Sequence, residues 1–463
     1  MTPFTQTSAD ELRFRLRGGL YAPGDAAYEE ACTLYNASID RRPRLVARCA
    51  APDDVVAALA YAREHGLEVA VRSGGHSVTG ASLCDDGLVI DTRDMTDIEV
   101  DPDRRVARVG GGCTWNELDR ATQHQGLATT GGRVSTTGVA GLTLGGGSGW
   151  LERKHGLACD NLVAAELVTA SGELVRASAD ENTDLLWALR GGGGNFGVVT
   201  TLEFQLHPVG PEVLGGLVIH HADRAREALR LFRDVMNAAP DELGLAFLFA
   251  TGPEEPEIPE ELHGEPVVLI AGIYAGTVED GEEALREIRA FGPPAADLFG
   301  PVPYADFQCS LDDPPGYRNY WTADSLADMP DAAVDAIVAR SAQIPAGPAQ
   351  VLIAPWGGQV ARGGSESPLG GRDARFIVHP FFLWEDPADD ELMMRLGRSY
   401  RNDLREYAID ATYLNFIGDE GAERARAGFA PGAHERLCRV KAEWDPDNVF
   451  HPNRTISPEG AEG

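Results

Sequence analysis

The stretch VRSGGHSVTGASLCDDGLVIDTRDM, residues 71–95, decides how the fold of this chain is interpreted. It places one histidine, His76, inside a loop of small residues from Ser73 to Ser77, and the strand-like run GLVIDT follows. Nothing in this loop is suited to pack an imidazole. Consecutive backbone amides in such a loop can form a concave site for an anion such as a pyrophosphate. An imidazole beside that site would lie near the rest of the same ligand, and the alternative is an ordinary turn with a solvated histidine.

Glycine clumps extend this pattern through the first 205 residues, at 74–75, 110–112, 145–149 and 191–197. Glycine allows backbone to approach another group closely, so the clumps favour a large ligand, with ordinary turns as the alternative. Between them, VVAALAYAREHG (55–66) predicts a helix that starts near Pro52, and TWNELDRATQHQG (114–126) predicts a helix that ends at Gly126. The run LVAAELVTASGELV predicts a hairpin that turns at Ser171 and Gly172.

One clump matches the dinucleotide fingerprint GxGxxG, at Gly192, Gly194 and Gly197. That fingerprint requires a strand before it and a helix after it. Here the helical run ENTDLLWALR precedes and the strand-like run VVTTLEFQL follows. The reversed order excludes a Rossmann-type NAD site. The chain also has no P-loop, HExxH or GxSxG motif, so kinase and hydrolase functions have no support.

Length and charge limit the fold and the partners. The chain has 463 residues, a length that predicts two domains, with three as an alternative. Its formal net charge of −32 disfavours nucleic acid and anionic membranes as partners. Its N-terminus lacks the apolar core of a signal peptide, and no run of about 18 apolar residues occurs, so a cytoplasmic protein is expected. Seven cysteines without a CxxC pair predict buried free thiols rather than a zinc or disulfide framework. No metal site is expected, and the oligomeric state is left open.

The middle of the chain differs in sequence pattern from the first 205 residues. The segment HPVGP (207–211) breaks the preceding strand, and apolar runs such as LGLAFLFA, VVLIAGIYAG and FIVHPFFLW then alternate with helical runs. This order predicts an α+β substrate domain, residues 206–395, with an antiparallel sheet flanked by helices. Residues 1–205 form the other predicted domain, and a C-terminal segment, 396–463, is expected to return to it.

Motifs along most of the chain resemble one family. The RSGGHS loop, GGRVSTTGVAGLTLGGGSGW, DLLWALRGGGGNFGVVTTLEFQLHPV, YLNF and RLCRVKAEWDPDNVFHPNRTI occur in this order. Together they resemble the FAD-linked oxidases with a vanillyl-alcohol-oxidase-type, or PCMH-type, FAD domain, and among these the berberine-bridge-enzyme-like group. The resemblance implies a two-domain PCMH-type fold, a small-molecule substrate and O2 as acceptor. It also implies that the RSGGHS loop holds the FAD pyrophosphate and that His76 bonds covalently to the flavin 8α-methyl carbon.

The resemblance also assigns roles residue by residue. Tyr413 and Asn415 are candidate catalytic residues by this resemblance, and His379, in the middle of the chain where the resemblance gives no guide, is a third candidate from its apolar setting. The cofactor-binding candidates, which again include Tyr413 and Asn415, are Arg72, Ser73, Gly74, Gly75, His76, Ser77, Val134, Thr137, Gly138, Gly141, Leu142, Gly145, Gly146, Trp150, Gly197, Val198, Tyr413, Asn415 and Asn448.

Two departures from the family pattern narrow these expectations. Many members have a second flavin bond from a cysteine in GxCPTVG, and Val134 stands in that place here. The attachment is therefore expected to be single, as in the 6-hydroxynicotine-oxidase-like enzymes and the enterocin favorskiase, while Cys113 and Cys159 are off-register. Phe416 occupies the last position of YxNY, where alcohol-oxidising members carry a tyrosine base. Phenylalanine cannot accept a proton.

Another group must then accept the substrate proton, unless a water or no base at all is used. His379 lies in an apolar neighbourhood that can shift its pKa, although a core histidine is the alternative. The same two alternatives, a site residue or a core residue, apply to the aromatic residues of PPGYRNYW, which are Tyr317, Tyr320 and Trp321. A missing base fits the oxidation of a neutral amine or of an acidic phenol or β-diketone.

The function expected from these features is an oxidase that transfers a hydride from a small or secondary-metabolite alcohol, amine or ketide to FAD and releases H2O2. An oxygenase of a polyketide-like substrate is the alternative, because Val134, Thr137 and Leu142 are similar to what an oxygenating branch places beside the flavin. A flavin-binding protein without turnover is the alternative from another class. A sugar oxidase is disfavoured, since those members usually carry both flavin bonds.

Overall fold

The structure is a computed structural model that describes residues 6–313, 315–364, 366–452 and 456–460. The end of the C-terminal motif, residues 453–455, lies outside these ranges. The first 205 residues contain two sheets. A separate two-stranded pair joins this part of the chain to the segment that follows it. A four-stranded sheet has the order β1-β2-β4-β3 and contains β1 (Leu20–Tyr21), β2 (Leu45–Arg48), β3 (Val69–Arg72) and β4 (Leu88–Asp91). Its strands β2, β3 and β4 run parallel.

An antiparallel five-stranded sheet follows, in the order β5-β6-β10-β8-β9. Its strands are β5 (Ile98–Asp101), β6 (Val106–Gly110), β8 (Leu162–Val168), β9 (Leu174–Ser178) and β10 (Val198–Gln205), and the small pair is β7 (Leu127–Ala128) with β11 (His207–Pro208). The predicted hairpin at residues 171–172 is confirmed, since β8 and β9 pair antiparallel around Gly172 at φ +89°. A helix precedes the GxGxxG match and β10 follows it, as the exclusion of a Rossmann site requires.

The second half of the chain forms one antiparallel sheet of nine strands. They are β12 (Glu212–His221), β13 (Leu243–Thr251), β14 (Pro266–Tyr274), β15 (Ala296–Asp297), β16 (Gly300–Pro303), β17 (Arg318–Trp321), β18 (Asp324–Leu326), β19 (Gln350–Pro355) and β20 (Phe376–Trp384). The sequence pattern singled out the long strands β12, β13, β14 and β20 but missed β15 to β19. These five strands are shorter, with two to six residues each, and of them only β19 is an aliphatic run.

Helices cover one face of this sheet, as the α+β prediction requires. In the described part of the chain, the helices are α1 (Gln6–Arg15), α2 (Tyr28–Cys32), α3 (Pro52–His65), α4 (Trp115–Gln123), α5 (Val139–Leu144), α6 (Glu152–His155), α7 (Thr183–Leu189), α8 (Ala225–Ala238), α9 (Val278–Ala290), α10 (Tyr304–Phe307), α11 (Asp331–Ser341), α12 (Gly358–Arg362), α13 (Asp390–Leu404), α14 (Ala422–Arg426) and α15 (Ala433–Trp444). Side chains of α8, α9, α11 and α13 form one apolar core with alternate residues of β13, β19 and β20.

Local signals explain where the helices of the first half begin and end. Helix α3 has Pro52 in its first turn and ends before Gly66, which adopts the left-handed conformation at φ +65°. Helix α4 begins with a capping box between Thr114 and Glu117. It ends at Gln123 rather than at Gly126, because the last residues form a separate turn in which the Gly126 amide bonds the Gln123 carbonyl at 3.1 Å.

The C-terminal segment packs on elements of the first half. Leu437 and Cys438 of α15 share a core with α7 and with the five-stranded sheet. Phe450 joins the core of the four-stranded sheet. The boundaries at residues 205 and 395 stay predictions, although all strands of the nine-stranded sheet lie between Glu212 and Trp384. Among the described residues, the structure contains no helix with the length and apolar character that a membrane crossing requires.

Candidate active site

A cavity of about 340 Å³ lies between the glycine loops of the first half and the nine-stranded sheet. Most of the predicted site residues line it. They are Ser73, Gly74, Gly75, His76, Ser77, Val134, Thr137, Gly138, Gly141, Leu142, Gly197, His379 and Asn415. The structure therefore brings together, in one wall, residues that are more than 300 positions apart in the sequence.

His76 lies in this wall with both ring nitrogens near hydroxyl groups. The Thr136 Oγ1 lies 3.1 Å from its Nε2, and the Thr137 Oγ1 lies 3.4 Å from its Nδ1. The imidazole also stacks on Tyr35 with ring centroids 4.3 Å apart. Burial is the main reason that the pKa of His76 is lowered to about 4. The ring is therefore neutral at neutral pH, with a lone pair on one nitrogen.

The loop around His76 offers unpaired donors. In the described part of the chain, the backbone amides of residues 74–77 donate no hydrogen bond to another protein group. Each of these residues lines the cavity. Gly75 has φ +77°, which favours glycine, and a Cβ on Gly74 would lie 2.3 Å from the Gly138 nitrogen. The two loops thus pack backbone against backbone, and the amides of residues 74–77, at the cavity wall, remain available to an anion.

Two further glycines leave space in the cavity for a large ligand such as FAD. Gly141 and Gly194 line it, and a Cβ built on either would meet no protein atom within 4 Å. Any side chain there would therefore take up cavity space. Val134 lines the cavity at the position where a cysteine would form a second flavin bond, whereas Cys113 and Cys159 are fully buried outside the lining. All seven cysteines are free thiols.

The roof of the cavity comes from neighbouring strands of the nine-stranded sheet. Leu248 of β13 pairs with Leu352 of β19, which pairs with His379 of β20. The next cross-strand row places Gln350 beside Phe381 and Phe381 beside Trp321. Because side chains alternate along a strand, the residues between these belong to the helix-covered core. The roof is mainly apolar, with His379 and Gln350 as its polar groups.

His379 is buried and makes one hydrogen bond that fixes its tautomer. Its Nδ1 lies 2.9 Å from the Thr322 carbonyl oxygen, which can only accept, so Nδ1 carries the proton. Burial lowers the pKa of His379 to about 4, although the bond to Thr322 opposes this. Nε2 therefore holds the lone pair at neutral pH, and His379 lines the cavity. Phe416 stacks on the ring at 4.2 Å and 4°, so the phenylalanine that replaces the family tyrosine orients this histidine.

Tyr413 does not line the cavity, and its role beside the flavin stays a prediction. Its buried hydroxyl accepts the amides of Gly147 at 2.7 Å and Ser148 at 2.8 Å. Asn415 does line the cavity, and its Nδ2 donates to the Leu142 carbonyl at 2.9 Å. Tyr413 is thus a positioning residue, because it holds the glycine loop that presents Ser148 to the cavity.

Tyr413→Phe is expected to destabilise the protein, because two buried amides would lose their acceptor. Each buried donor left unpaired costs about 1–3 kcal/mol of unfolding free energy. Denaturant titration with flavin content as a second readout measures the loss. Tyr407→Phe, at a partly exposed tyrosine, is the control and should change stability by less than about 0.5 kcal/mol. Equal stability of the Tyr413 variant and the parent would contradict the role.

The other predicted residues outside the lining have structural contacts. Arg72 is buried and donates to the carbonyls of Ala31 and Thr33. Trp150 belongs to an apolar cluster and stacks at an angle on Phe307. Cofactor contact by these two residues stays a prediction, and the contacts of their side chains are with other parts of the protein.

Four more predicted residues also lie behind the wall. Gly145 and Gly146 leave room for Asn415 and Tyr413, because a Cβ would lie 2.0 Å and 2.9 Å from those side chains. Val198 is a core residue, and Asn448 adopts φ +52° in the C-terminal turn. Of the ambiguous aromatic residues, Trp321 lines the cavity, while Tyr320 packs near Arg398. Tyr317 is half-buried outside the lining.

Sequence reasoning missed several lining residues. Tyr35, Asp313, Leu248, Gln350 and Leu352 line the cavity. Arg133, within a motif already recognised, also lines it and forms an ion pair with Glu152 at 2.9 Å. Strand alternation would have grouped Leu248 with one face of β13, but no local pattern marks Tyr35 or Asp313.

Comparisons with known proteins agree with this geometry. A model of the FAD binding domain matches residues 43–178, and a model described as berberine and berberine like matches residues 412–457. The (R)-6-hydroxynicotine oxidase of Paenarthrobacter nicotinovorans is 31% identical over 467 residues, which cover 96% of this chain and 98% of that protein. An FAD-linked oxidoreductase of Dictyostelium discoideum is 30% identical over 452 residues, 96% of this chain and 95% of its own length.

Solved structures show the same fold. The 6-hydroxy-D-nicotine oxidase of Arthrobacter nicotinovorans superposes with a TM-score of 0.85 at 28% identity, covering 96% of this chain and 98% of that one. The berberine bridge enzyme of Eschscholzia californica superposes with a TM-score of 0.85 at 20% identity, covering 98% of this chain and 100% of that one. The second likeness concerns the fold alone.

Proposed function

Because the chain belongs to the berberine-bridge-enzyme-like family of FAD-linked oxidases, we propose that it oxidises a small-molecule alcohol or amine, with O2 as acceptor and release of H2O2. In this reaction the substrate loses two electrons and two protons at its carbon–heteroatom bond, and O2 takes up the electrons and the protons to become H2O2. FAD, when bound, supplies the hydride acceptor and the route to O2. The observation that carries the proposal is that His379, with its Nδ1 bonded to Thr322, lines the same cavity as the glycine loop around His76.

The covalent attachment of FAD through His76 belongs to the same proposal. His76 is neutral, lines the cavity and lies next to the free amides of its own loop. Its neighbours Thr136 and Thr137 offer hydroxyl groups that can take and return the ring proton. The relative (R)-6-hydroxynicotine oxidase supports an amine as one substrate class, while the alcohol class rests on the family as a whole.

His379 would accept the proton of the substrate O–H or N–H. Its Nδ1–H bond to Thr322 and its stacking on Phe416 orient the ring, so that Nε2 presents a lone pair to the cavity. The apolar roof of Leu248, Leu352 and Phe381 excludes water from that lone pair. This arrangement gives the chain a base even though Phe416 cannot act as one.

His379→Asn is expected to lower kcat by about 10²–10⁴, because positioned proton transfer contributes about that factor. Asparagine can still donate to Thr322, so FAD content should not change. His221→Asn, at an exposed histidine at the end of β12, is the matched control and should keep parental kcat. An unchanged kcat in the His379 variant would remove this residue from the reaction.

The pH profile gives an independent check on the base. The base acts when neutral, so activity falls as pH drops through the pKa, and for His379 that value is about 4. We therefore expect the acidic limb of kcat/KM near pH 4, without the inflection near 6.5 of an ordinary histidine. A limb near 6.5 that disappears in the asparagine variant would show a histidine with an unshifted pKa.

The primary experiment is oxygen uptake by the purified holoprotein with a panel of alcohols, amines and phenols, with peroxide measured in parallel. Near-stoichiometric H2O2 supports the oxidase. Label from ¹⁸O2 in the product would instead support the oxygenase, for which Val134, Thr137 and Leu142 in the lining are the motivating observation. Bound FAD that no compound in the panel reduces would favour a binding protein without turnover.

A further inference from the structure

The cavity wall carries one carboxylate that the proposed oxidation does not use, that of Asp313. Its side chain is half-buried, and the Tyr35 hydroxyl donates to its Oδ2 at 3.3 Å. In the described part of the chain, the side chains that shift the pKa of this carboxyl are Tyr35 and Asp312, and no arginine or lysine is among them. A carboxylate at the wall of a mainly apolar cavity without a paired cation is costly unless a ligand supplies one.

The loop that presents Asp313 is held from several sides. The neighbouring Asp312 accepts the Ser135 amide and the Ser135 hydroxyl, each at 2.6 Å. Leu311 packs against the apolar cluster below the sheet. Tyr35, which bonds Asp313, stacks on His76. The carboxylate is therefore held in the wall on the side of His76, through Tyr35.

The rest of the lining adds no free positive charge. Among the described lining residues, Arg133 is the one permanent cation, and it is neutralised by Glu152 at 2.9 Å and bonded to Ser148. His76 and His379 are neutral at neutral pH, since burial lowers the pKa of each to about 4. The lining therefore has an excess negative charge at Asp313, and Trp321 and Phe381 add aromatic faces. A carboxylate among aromatic rings is the environment that binds an ammonium group.

We propose that Asp313 determines substrate specificity in this cavity by binding a cationic amino group of the substrate. The inference rests on the proposed function, because it names the substrate class of the same site. The amino group that Asp313 binds is not the one oxidised, since a protonated nitrogen has no lone pair to support hydride loss. The substrate is thus an apolar ring compound with a cationic amine at one end and the oxidisable carbon–heteroatom bond at the other.

The test is calorimetric titration of the holoprotein with two probes, benzyltrimethylammonium and the neutral benzyl alcohol. The quaternary cation has no lone pair on nitrogen and serves as a binding probe without turnover. Burial raises the pKa of Asp313 to about 6, the bond from Tyr35 lowers it and the charge of Asp312 raises it. At about pH 8 the carboxylate is therefore ionised, and the measurement reads the charge interaction directly.

The variants are Asp313→Asn and, as the matched control, Asp306→Asn. Asp306 is an exposed residue of α10 that pairs with Arg120 at 3.3 Å, outside the cavity lining, and the control makes the same charge change. We expect Asp313→Asn to weaken binding of the cation by about tenfold or more and binding of benzyl alcohol by less than about twofold. Asp306→Asn should bind both probes like the parent. Equal affinity of parent and Asp313→Asn for the cation, or no binding of the cation by the parent, would overturn the inference.

A salt titration of the parent protein repeats the test without any variant. Added salt should weaken binding of the cation several-fold and leave the affinity for benzyl alcohol unchanged, because screening acts on the charge interaction alone. No salt effect on the cation would again overturn the inference. The two hypotheses fail separately: cation selectivity without any oxidised substrate would contradict the proposed function, while H2O2 production with identical probe affinities in Asp313→Asn would contradict the role of Asp313.

Discussion

His76→Ala is expected to release all FAD into the supernatant when the protein is precipitated with acid, whereas the parent should retain it in a yellow pellet. The lining holds no cysteine thiol, since Val134 stands in the cysteine position and all seven thiols lie elsewhere. Its other histidine, His379, is tied to Thr322 on the roof strand. Neither a cysteine nor a second free histidine is therefore available to replace His76 as the attachment point.

Catalysis should weaken in the same variant. The family resemblance implies that the histidyl bond raises the reduction potential of the flavin, which makes hydride abstraction easier. We expect kcat to fall by about tenfold or more, equivalent to about 1.4 kcal/mol of activation free energy. Visible spectra before and after precipitation, with peptide mass mapping of the pellet, measure the attachment, and stopped-flow reduction measures the rate.

The matched control is His124→Ala, at an exposed histidine after α4. It should keep both the yellow pellet and the parental rate. A yellow pellet from His76→Ala would place the bond on another residue. A colourless pellet from the parent would mean that FAD is held without a bond, and the argument for a high-potential oxidase would then weaken.

Lys441→Met is expected to destabilise the protein by about 3–5 kcal/mol, because it leaves a buried carboxylate without its counterion. Lys441 and Asp445 are fully buried, with Nζ and Oδ2 2.6 Å apart. The same Nζ donates to the carbonyl of Asn195 at 2.8 Å and to that of Phe450 at 2.5 Å. Asn195 belongs to the glycine loop that lines the cavity at Gly194 and Gly197, so flavin retention should fall together with stability.

The chain provides a close control, because its only other lysine is Lys154. Lys154 is partly exposed and lies 3.7 Å from Glu242. Lys154→Met should cost no more than about 1 kcal/mol, the usual value of an exposed ion pair. The midpoints of denaturant unfolding compare the two variants. Similar losses from both substitutions would show that the buried pair does not hold the C-terminal segment.

The register of the nine-stranded sheet shows where sequence reasoning reached its limit. The apolar runs of β13, β14 and β20 were predicted, and His379 was named as a candidate base. Its partners on the roof were not, because Leu352 and Phe381 reach the cavity only through pairing of β19, β20 and β17, which are distant in sequence. The Tyr35 and Asp313 pair is 278 residues apart and has no local signature.

Tyr413 illustrates the same limit from the opposite direction. The motif YLNF correctly marked a segment at the site, but residue type could not tell which side chain reaches the cavity. Packing decided this, because Gly146 lies against the Tyr413 ring and Gly145 makes room for Asn415. Tyr413 consequently bonds the loop from behind, and Asn415 lies in the wall.

The sequence by itself determined the family, the glycine loop around His76, the loss of the second attachment point at Val134 and the loss of the tyrosine base at Phe416. These are local features, since loop conformation and residue chemistry depend on neighbours along the chain. Only the tertiary structure decided that His379 lines the cavity with Nδ1 protonated, that Phe416 orients it and that Asp313, bonded by Tyr35, lies in the wall without a paired cation among the described residues. Those relations depend on strand register and on burial, which no short stretch of sequence can specify alone.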